Sequence, residues 1–447
     1  MARILLVSYL FPPANAIGAV RVGKLAKYLA GRGHELRVLT ARDTPFPANL
    51  PLEVPAAAVT ATRWVGTEWF VNLGGTVGRM LGRRNVAPAA VAPESEGPAS
   101  APPETSDGLK AALVSLARGA HDLVHGLLTI PDRQAGWLPF AAGAGRRLAR
   151  RFRPHVVYAS GPPFTGLVVA RLVARATGAP LVLEYRDRWL EDPYREAPAW
   201  RRSLERRIED WVARSAAAIV TVSEPWAADY RRRWGKPVTV VLNGYDPDDV
   251  PAELPEALGD PGVLTVVYTG VIYAGKRDPS PLFAALQRMG PLRERIEVRF
   301  YGTNEADVMP LAARFGAADR VRVFGRVPYK DSLRIQAQAD VLLLMQWNDP
   351  REQGNCPAKL FEYLAMRRPV LCFGFPQGVP AAILKERNAG VLANDPDAVA
   401  RWLMEKLAEK EAAGRVAALP ASVTDGLSRN EQFARLDPVL EAAAGRR

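Results

Sequence analysis

The chain has 447 residues, 48% of them hydrophobic, with a formal net charge of +12, a pI near 9.8 and two cysteines, Cys356 and Cys372. At about 150 residues per domain, that length fits two to three domains with enough apolar material for large cores. Two cysteines exclude a disulfide framework and fit a reducing compartment. The longest candidate membrane span, Ala111 to Ile130, is interrupted by Arg118, His121, Asp122 and His125, so no transmembrane helix is expected.

Met1-Ala2-Arg3 runs straight into the strand-like Ile4 to Val7 without the charged, apolar and cleavage regions of a signal peptide, so a cytoplasmic protein is expected. The strand Ile4–Tyr9, a loop Leu10–Ile17, a helix from about Gly18 to Ala30 and a strand Glu35–Thr40 make a βαβ opening. In the loop, Gly18 lets backbone approach a phosphate or sugar closely and Arg21 is a possible donor. The spacing is not GxGxxG, which speaks against a dinucleotide-dependent dehydrogenase. Residues 87–104 are almost all Ala, Pro, Glu, Val, Ser and Gly, and read as a disordered loop inside the first domain.

Further strands are expected at Val156–Ser160, Leu181–Tyr185, Ala218–Ser223 and Val238–Leu242. The first ends in Ser160-Gly161-Pro162-Pro163, a rigid turn into a helix from Thr165 to Ala176. The second ends in Glu184-Tyr185-Arg186-Asp187-Arg188-Trp189. An ionisable cluster at a strand's carboxyl end suits Asp187 to orient an acceptor hydroxyl or move a proton, and Arg186 to bind an acidic acceptor. An internal salt bridge is the competing reading. The fourth strand ends in Asn243-Gly244, a tight turn placed beside the cleft between domains. Asp246 to Pro261 reads as the linker.

Beyond it, strands are expected at Leu264–Thr269, Glu297–Tyr301, Val321–Phe324, Val341–Met345 and Val370–Phe373. The loop Gly270 to Asp278 carries Lys276 and Arg277, two cations fit to neutralise a leaving diphosphate. Between the last two strands lies Gly354-Asn355-Cys356-Pro357-Ala358-Lys359-Leu360-Phe361-Glu362. Pro357 suits a first helical position, Lys359 in the first turn suits a phosphate, and Glu362 on the same face suits a ribose. Cys356 reads as a packing residue. Four histidines, two cysteines and the lack of a DxD pair at a strand end give no metal site. Arginine recurs in short runs, at 146–153, 201–207 and 231–233. These are either solvated helix faces or a surface attracted to anionic lipid or a polyanionic acceptor; without interleaved aromatics, nucleic acid is not expected.

In order and spacing, Ser160-Gly161-Pro162-Pro163, Tyr185-Arg186-Asp187-Arg188-Trp189, the Lys276-Arg277 loop and the Lys359–Glu362 helix resemble the family 4 glycosyltransferases, and among them bacterial polysaccharide and surface-glycan enzymes. The resemblance covers nearly the whole chain. It implies an α/β GT-B fold of two Rossmann-like domains facing across a cleft: an acceptor domain over residues 1–250, a donor domain over 262–425, and a C-terminal helix over 426–447 crossing back to the first domain. It implies a retaining transfer from a nucleoside-diphosphate-sugar with no required metal. Beyond that, a UDP- or GDP-linked donor, no cofactor, a lipid-linked or polysaccharide acceptor and a cytoplasmic enzyme are expected, with peripheral contact at the inner face of a membrane expected from the basic, Leu- and Trp-containing region 110–153. The donor-binding set is then Gly18, Arg21, Asn243, Gly270, Lys276, Arg277, Gly354, Asn355, Cys356, Lys359 and Glu362. The acceptor side is Gly161, Pro162, Arg186 and Asp187, and the catalytic set is Asp187, Lys276 and Arg277. Three positions depart from the family's pattern: Gly354 stands where the first of two paired glutamates is usual, with Glu352 nearby; Val271 replaces a common Arg; and Asp187 or Arg186 occupies the place of a usual His. A degenerate GT-B scaffold and a GT-B sugar-nucleotide epimerase are the alternative functions.

Overall fold

The computed structural model describes residues 1–66, 119–120, 122–251, 255, 260–273 and 275–445. The 87–104 loop expected from sequence lies outside these. The chain divides into two compact units, one comprising Met1–Val220, Tyr230–Thr239 and Asp437–Arg447, the other Thr221–Asp229 and Val240–Leu436.

The first unit is built on β1 (Arg3–Val7), β2 (Glu35–Ala41), β3 (Val59–Thr62), β4 (Val156–Gly161), β5 (Leu181–Tyr185), β6 (Ala218–Thr221) and β7 (Val238–Val240). Their order in the sheet is β3-β2-β1-β4-β5-β6-β7, so the chain reverses its direction of travel between β1 and β4. The β1–β2, β2–β3, β1–β4 and β4–β5 pairs are parallel, with Leu5 opposite Val157 and Ser160 opposite Glu184. Parallel strands need crossovers, and α1 (Ile17–Gly31), α2 (Leu138–Phe152), α3 (Thr165–Thr177) and α4 (Ala199–Ala213) supply them, with α5 (Glu224–Trp234) following β6. The start of α3 is fixed from a distance: the Thr165 N–H and hydroxyl both donate to the Asp132 carboxylate, at 2.9 and 2.6 Å.

The second unit is built on β8 (Leu264–Thr269), β9 (Ile296–Tyr301), β10 (Val321–Val323), β11 (Val341–Met345), β12 (Val370–Phe373) and β13 (Gly390–Leu392), in the order β10-β9-β8-β11-β12-β13 with every pair parallel. Its helices are α6 (Ser280–Arg288), α7 (Glu305–Arg314), α8 (Tyr329–Gln338), α9 (Ala358–Ala365), α10 (Val379–Glu386), α11 (Pro396–Ala413) and α12 (Arg429–Ala434). Both faces of this sheet are covered. Leu264, Val266, Leu343 and Met345 pack with Leu282, Leu286 and Leu403 on one side. Val267, Leu342 and Leu344 pack with Leu360, Phe361 and Leu364 on the other. That is why β11 reads as an unbroken apolar run and β8 as one interrupted only by Thr265 and Thr269, rather than as alternating strands, each buried aliphatic contributing about 1.5–3 kcal/mol.

Two strands go beyond those expected, and two expectations need correction. The edge strands β3 and β13 are four and three residues long and partly exposed, too short to stand out in the sequence. The anticipated single C-terminal helix is two short ones, α12 and α13 (Asp437–Ala444), broken just before Pro438 because proline is accommodated in a first turn and not in a helix interior. Only α13 belongs to the first unit, where it packs against β4 and β5 and where Asp437 accepts from Tyr28 at 3.0 Å and pairs with Arg32 at 3.0 Å. Finally, Pro357 caps α9 in extended conformation instead of opening it, leaving Lys359 as the second helical residue.

Candidate active site

In the second unit the strand order reverses between β8 and β11, and α9 returns the chain from β11 to β12. The carboxyl edge at such a reversal is the ligand crevice of doubly wound sheets. Gly270, directly after β8, has φ 152°, and its N–H donates to Tyr301 at 2.7 Å. A Cβ there would lie 2.0 Å from Lys359 Nζ, so only glycine leaves the ammonium its place. Lys359 Nζ lies 4.5 Å from the centre of the Tyr268 ring, whose hydroxyl donates to the Val271 carbonyl at 2.8 Å. Burial first, then the neighbouring Arg277 guanidinium, push the Lys359 ammonium down to about 7, with Glu362 opposing. Lys276 and Arg277, adjacent in sequence, diverge. Arg277 stacks on Tyr273 at 4.6 Å and acts on Tyr268 and Lys359, whereas Lys276 Nζ lies 4.9 Å over Trp347, a ring that also carries Arg351 at 4.4 Å.

Glu362, one turn beyond Lys359, accepts a hydrogen bond from the Tyr329 hydroxyl at 3.3 Å, and the same hydroxyl lies 3.2 Å from Asp249 Oδ2. Burial pushes the Glu362 carboxyl up, and Arg429 and Lys359 pull it back. Tyr329, Asp249 and Arg429 were not among the residues singled out in sequence. They come from three separate segments and carry no motif. Arg429 is 6% exposed, its backbone N–H donates to the Tyr245 carbonyl at 2.7 Å, and its charge acts on Glu362.

The loop before α9 is held by Asn243, whose side-chain amide donates to the Cys356 carbonyl at 2.9 Å. Burial pushes the Cys356 thiol up to about 12, which removes it as a nucleophile. Gly354 lies under the indole of Trp226. A Cβ on Gly354 would come within 2.2 Å of that ring, so no glutamate fits there. Glu352, just before it in the chain, is 3% exposed, accepts from Asn355 Nδ2 at 2.7 Å and lines a small pocket with Gln346, Gly374 and Phe375.

In the first unit, the carboxyl ends of β4 and β5 meet the start of α1. Arg21 is 4% exposed and donates through Nε and Nη2 to Glu184 Oε1 at 3.0 and 2.7 Å, and Ser160 donates to Glu184 Oε2. The salt bridge in this cluster therefore joins Arg21 and Glu184, and Arg21 is directed inward. Arg186 lies against α1. A Cβ on Gly18 would sit 2.7 Å from its guanidinium, which donates to the Pro162 carbonyl, while the Arg186 N–H donates to Gly161 at 2.9 Å. Gly18, Gly161, Pro162 and Arg186 are thus gathered in one place. Asp187 is exposed beside them and its charge acts on Arg186. Among the described residues no three His, Cys, Asp or Glu are grouped as metal ligands.

Two doubly wound parallel sheets in one chain are the architecture of the GT-B class of sugar-transferring enzymes. The family model described as "Glycosyl transferase 4-like domain" matches residues 18–245, and that of "Glycosyl transferases group 1" matches residues 263–409. The chain belongs to the glycosyl transferase 4-like family and is a transferase. No curated protein matches its sequence significantly. Among solved structures it is similar to sucrose-phosphate synthase from Thermosynechococcus elongatus, with 14% identity, TM-score 0.58, and 100% of this chain and 97% of that one covered. It is also similar to Anabaena HepE in complex with UDP and glucose, with 13% identity, TM-score 0.60, and 99% and 100% covered. A third is the lipopolysaccharide outer core galactosyltransferase WaaB in its apo form, with 10% identity, TM-score 0.57, and 98% and 99% covered. At these identities the likeness shows the fold.

Proposed function

We propose that the enzyme transfers a sugar, with retention of configuration, from a UDP- or GDP-linked donor to a lipid-linked or polysaccharide acceptor of a bacterial surface glycan. The observation that carries the donor side is the convergence of Lys359 and Arg277 on the Tyr268–Gly270 turn, with Glu362 one helical turn further along the same face. Two cations at the N-terminal turn of α9 suit a diphosphate, and a carboxylate on the same helix face suits the two ribose hydroxyls. The solution of HepE with UDP and glucose supports a uridine donor, and the described activity of WaaB supports a glycan acceptor.

In this reading the charge that builds on the leaving diphosphate is stabilised by Arg277, Lys359 and Lys276 and by the α9 dipole, which leaves no task for a divalent cation. The loop Gly354–Cys356, steadied by Asn243, lies against the donor's phosphate or sugar. A diphosphate oxygen takes the acceptor's proton as the new bond forms. Gly161, Pro162, Arg186 and Asp187 serve the acceptor, with Asp187 orienting its hydroxyl, while Gly18 gives close backbone approach and Arg21 holds Glu184 and the strand ends in register. A lipid-linked acceptor places the enzyme at the cytoplasmic face of a membrane as a peripheral protein. No helix among the described residues is long and apolar enough to cross one.

The test is a thermal-shift panel of UDP, GDP, ADP and dTDP on the wild type, Glu362→Ala and Lys276→Ala. At a hundredfold excess over Kd, one nucleotide is expected to stabilise the wild type by about 2.7 kcal/mol. Both variants are expected to lose most of that shift. A panel without any shift, or one unchanged in Glu362→Ala, would move the donor elsewhere.

Lys359 gives this site a pH dependence. Its ammonium titrates near 7 in the empty site, far below the usual lysine value, and a diphosphate favours the charged form. Affinity for a nucleotide-sugar, whose diphosphate does not titrate in this range, is therefore expected to be flat below pH 7 and to weaken about fivefold from pH 7 to pH 8. Lys359→Arg keeps its charge and is expected to remove the slope in isothermal titrations.

A further inference from the structure

The face formed by residues 122–128 and α4 is unlike the rest of the first unit. Residues 122–128 are helical, and Leu123, Val124, Leu127 and Leu128 are each 40–47% exposed on two successive turns. This segment is fastened to α4. Arg201 donates to the Thr129 carbonyl at 2.7 Å and to its hydroxyl at 3.1 Å, and a Cβ on Gly126 would come within 2.9 Å of the Trp200 ring. Along α4, Trp200, Leu204, Arg207 and Trp211 recur at helical spacing on one side, and the two tryptophans are 38% and 39% exposed.

The charges of α4 are sorted by side. Its three carboxylates are held within the fold: Glu205 by Arg195 and Arg201, and Glu209 and Asp210 by Arg233. Arg202, Arg206 and Arg207 are exposed, and no carboxylate pairs with any of them among the described residues. Arg171 adds a cation over Trp211 at 4.0 Å.

We propose that this face docks on the headgroup layer of an anionic phospholipid bilayer. The inference deepens the reading of a lipid-linked acceptor. Exposed leucines beside tryptophans suit the acyl–headgroup boundary, and unpaired arginines suit negative headgroups. A soluble polyanion would use the arginines and leave the four aliphatic side chains in water, so it fits half of the surface. Docking here would hold the first unit, with its candidate acceptor residues, at the surface where a lipid-linked acceptor resides.

Co-sedimentation with phosphatidylcholine vesicles, with and without phosphatidylglycerol, tests this. The wild type is expected to bind only the anionic vesicles. Arg202→Ala/Arg206→Ala/Arg207→Ala is expected to lose about fivefold per arginine, on the order of a hundredfold in all. Leu127→Glu/Leu128→Glu is expected to abolish binding even at low salt, which a purely electrostatic contact would survive. Arg146→Ala/Arg147→Ala/Arg150→Ala, with the same loss of charge from α2, is the control and is expected to bind nearly as the wild type does. Equal losses in the two arginine variants, or undiminished binding in the leucine variant, would overturn the proposal in favour of diffuse charge attraction. Absence of wild-type binding would overturn it outright. Melting temperatures measured without nucleotide report folding of each variant, so the result stands whether or not the donor assignment holds.

Discussion

Glu184→Ala is expected to cost about 3–5 kcal/mol of stability, the penalty for removing one partner of a buried ion pair. Glu184 is fully buried between β4 and α1, and three groups depend on it: the Arg21 guanidinium, the Ser160 hydroxyl and the nearby charge of Arg186. Burial alone would raise its carboxyl, but Arg21, Ser160 and Arg186 outweigh burial and hold it below the usual range. The sign of the pH effect follows. A lowered carboxylate contributes stability above its unfolded pKa, and that stability is lost as pH falls through the folded value. Urea unfolding at neutral pH is expected to show the full loss in Glu184→Ala, and the gap between variant and wild type should narrow in acid. Arg21→Met/Glu184→Leu, which replaces the pair by apolar groups, is expected to recover much of the stability. If Glu184→Ala melts like the wild type, the pair is not holding the strand ends in register.

The second large effect is expected in turnover. Arg277→Ala and Lys359→Ala should each lower kcat by about 10²–10³-fold, the cost of removing one group aimed at developing charge. Arg277 acts on Lys359 directly, and both cluster at Tyr268. Two groups that stabilise the same diphosphate are expected to be non-additive, so the double variant should fall short of the product of the single effects. Lys276, which lies across Trp347, is expected to couple more weakly to either one. Steady-state transfer assays with the nucleotide-sugar identified by thermal shift would decide the matter. A raised KM with unchanged kcat would make these residues ground-state anchors and remove them from the chemistry.

The sequence by itself determined the class of fold. Runs such as Val341–Met345 and Val370–Phe373 are apolar at every position, and only strands covered on both faces tolerate that. Alternation of such runs with helices then leaves parallel sheets as the solution. Strand ends followed by Gly, Pro or charged residues marked the carboxyl edge of each sheet, because loops after parallel strands gather at one edge. The edge strands β3 and β13 escaped, since half-exposed strands of three or four residues bury too little to leave a pattern.

Only the tertiary structure decided which charges meet. Arg21 and Glu184 are 163 residues apart, and nothing local distinguishes this arginine from the others in the chain. Tyr329 and Arg429 reach Glu362 from different elements, and neither is flanked by a motif. The neighbours Lys276 and Arg277 point to different rings because a turn, not a regular element, carries them. Gly354 is glycine because Trp226, from far earlier in the chain, occupies the space beside it. On α4, composition alone reads as a mixed-charge helix. Once the fold takes its carboxylates inward, the arginines and tryptophans are left on the outside. Periodicity is a property of neighbouring residues and survives in the sequence, whereas ion pairing depends on side-chain direction and long-range contact, which exist only after folding.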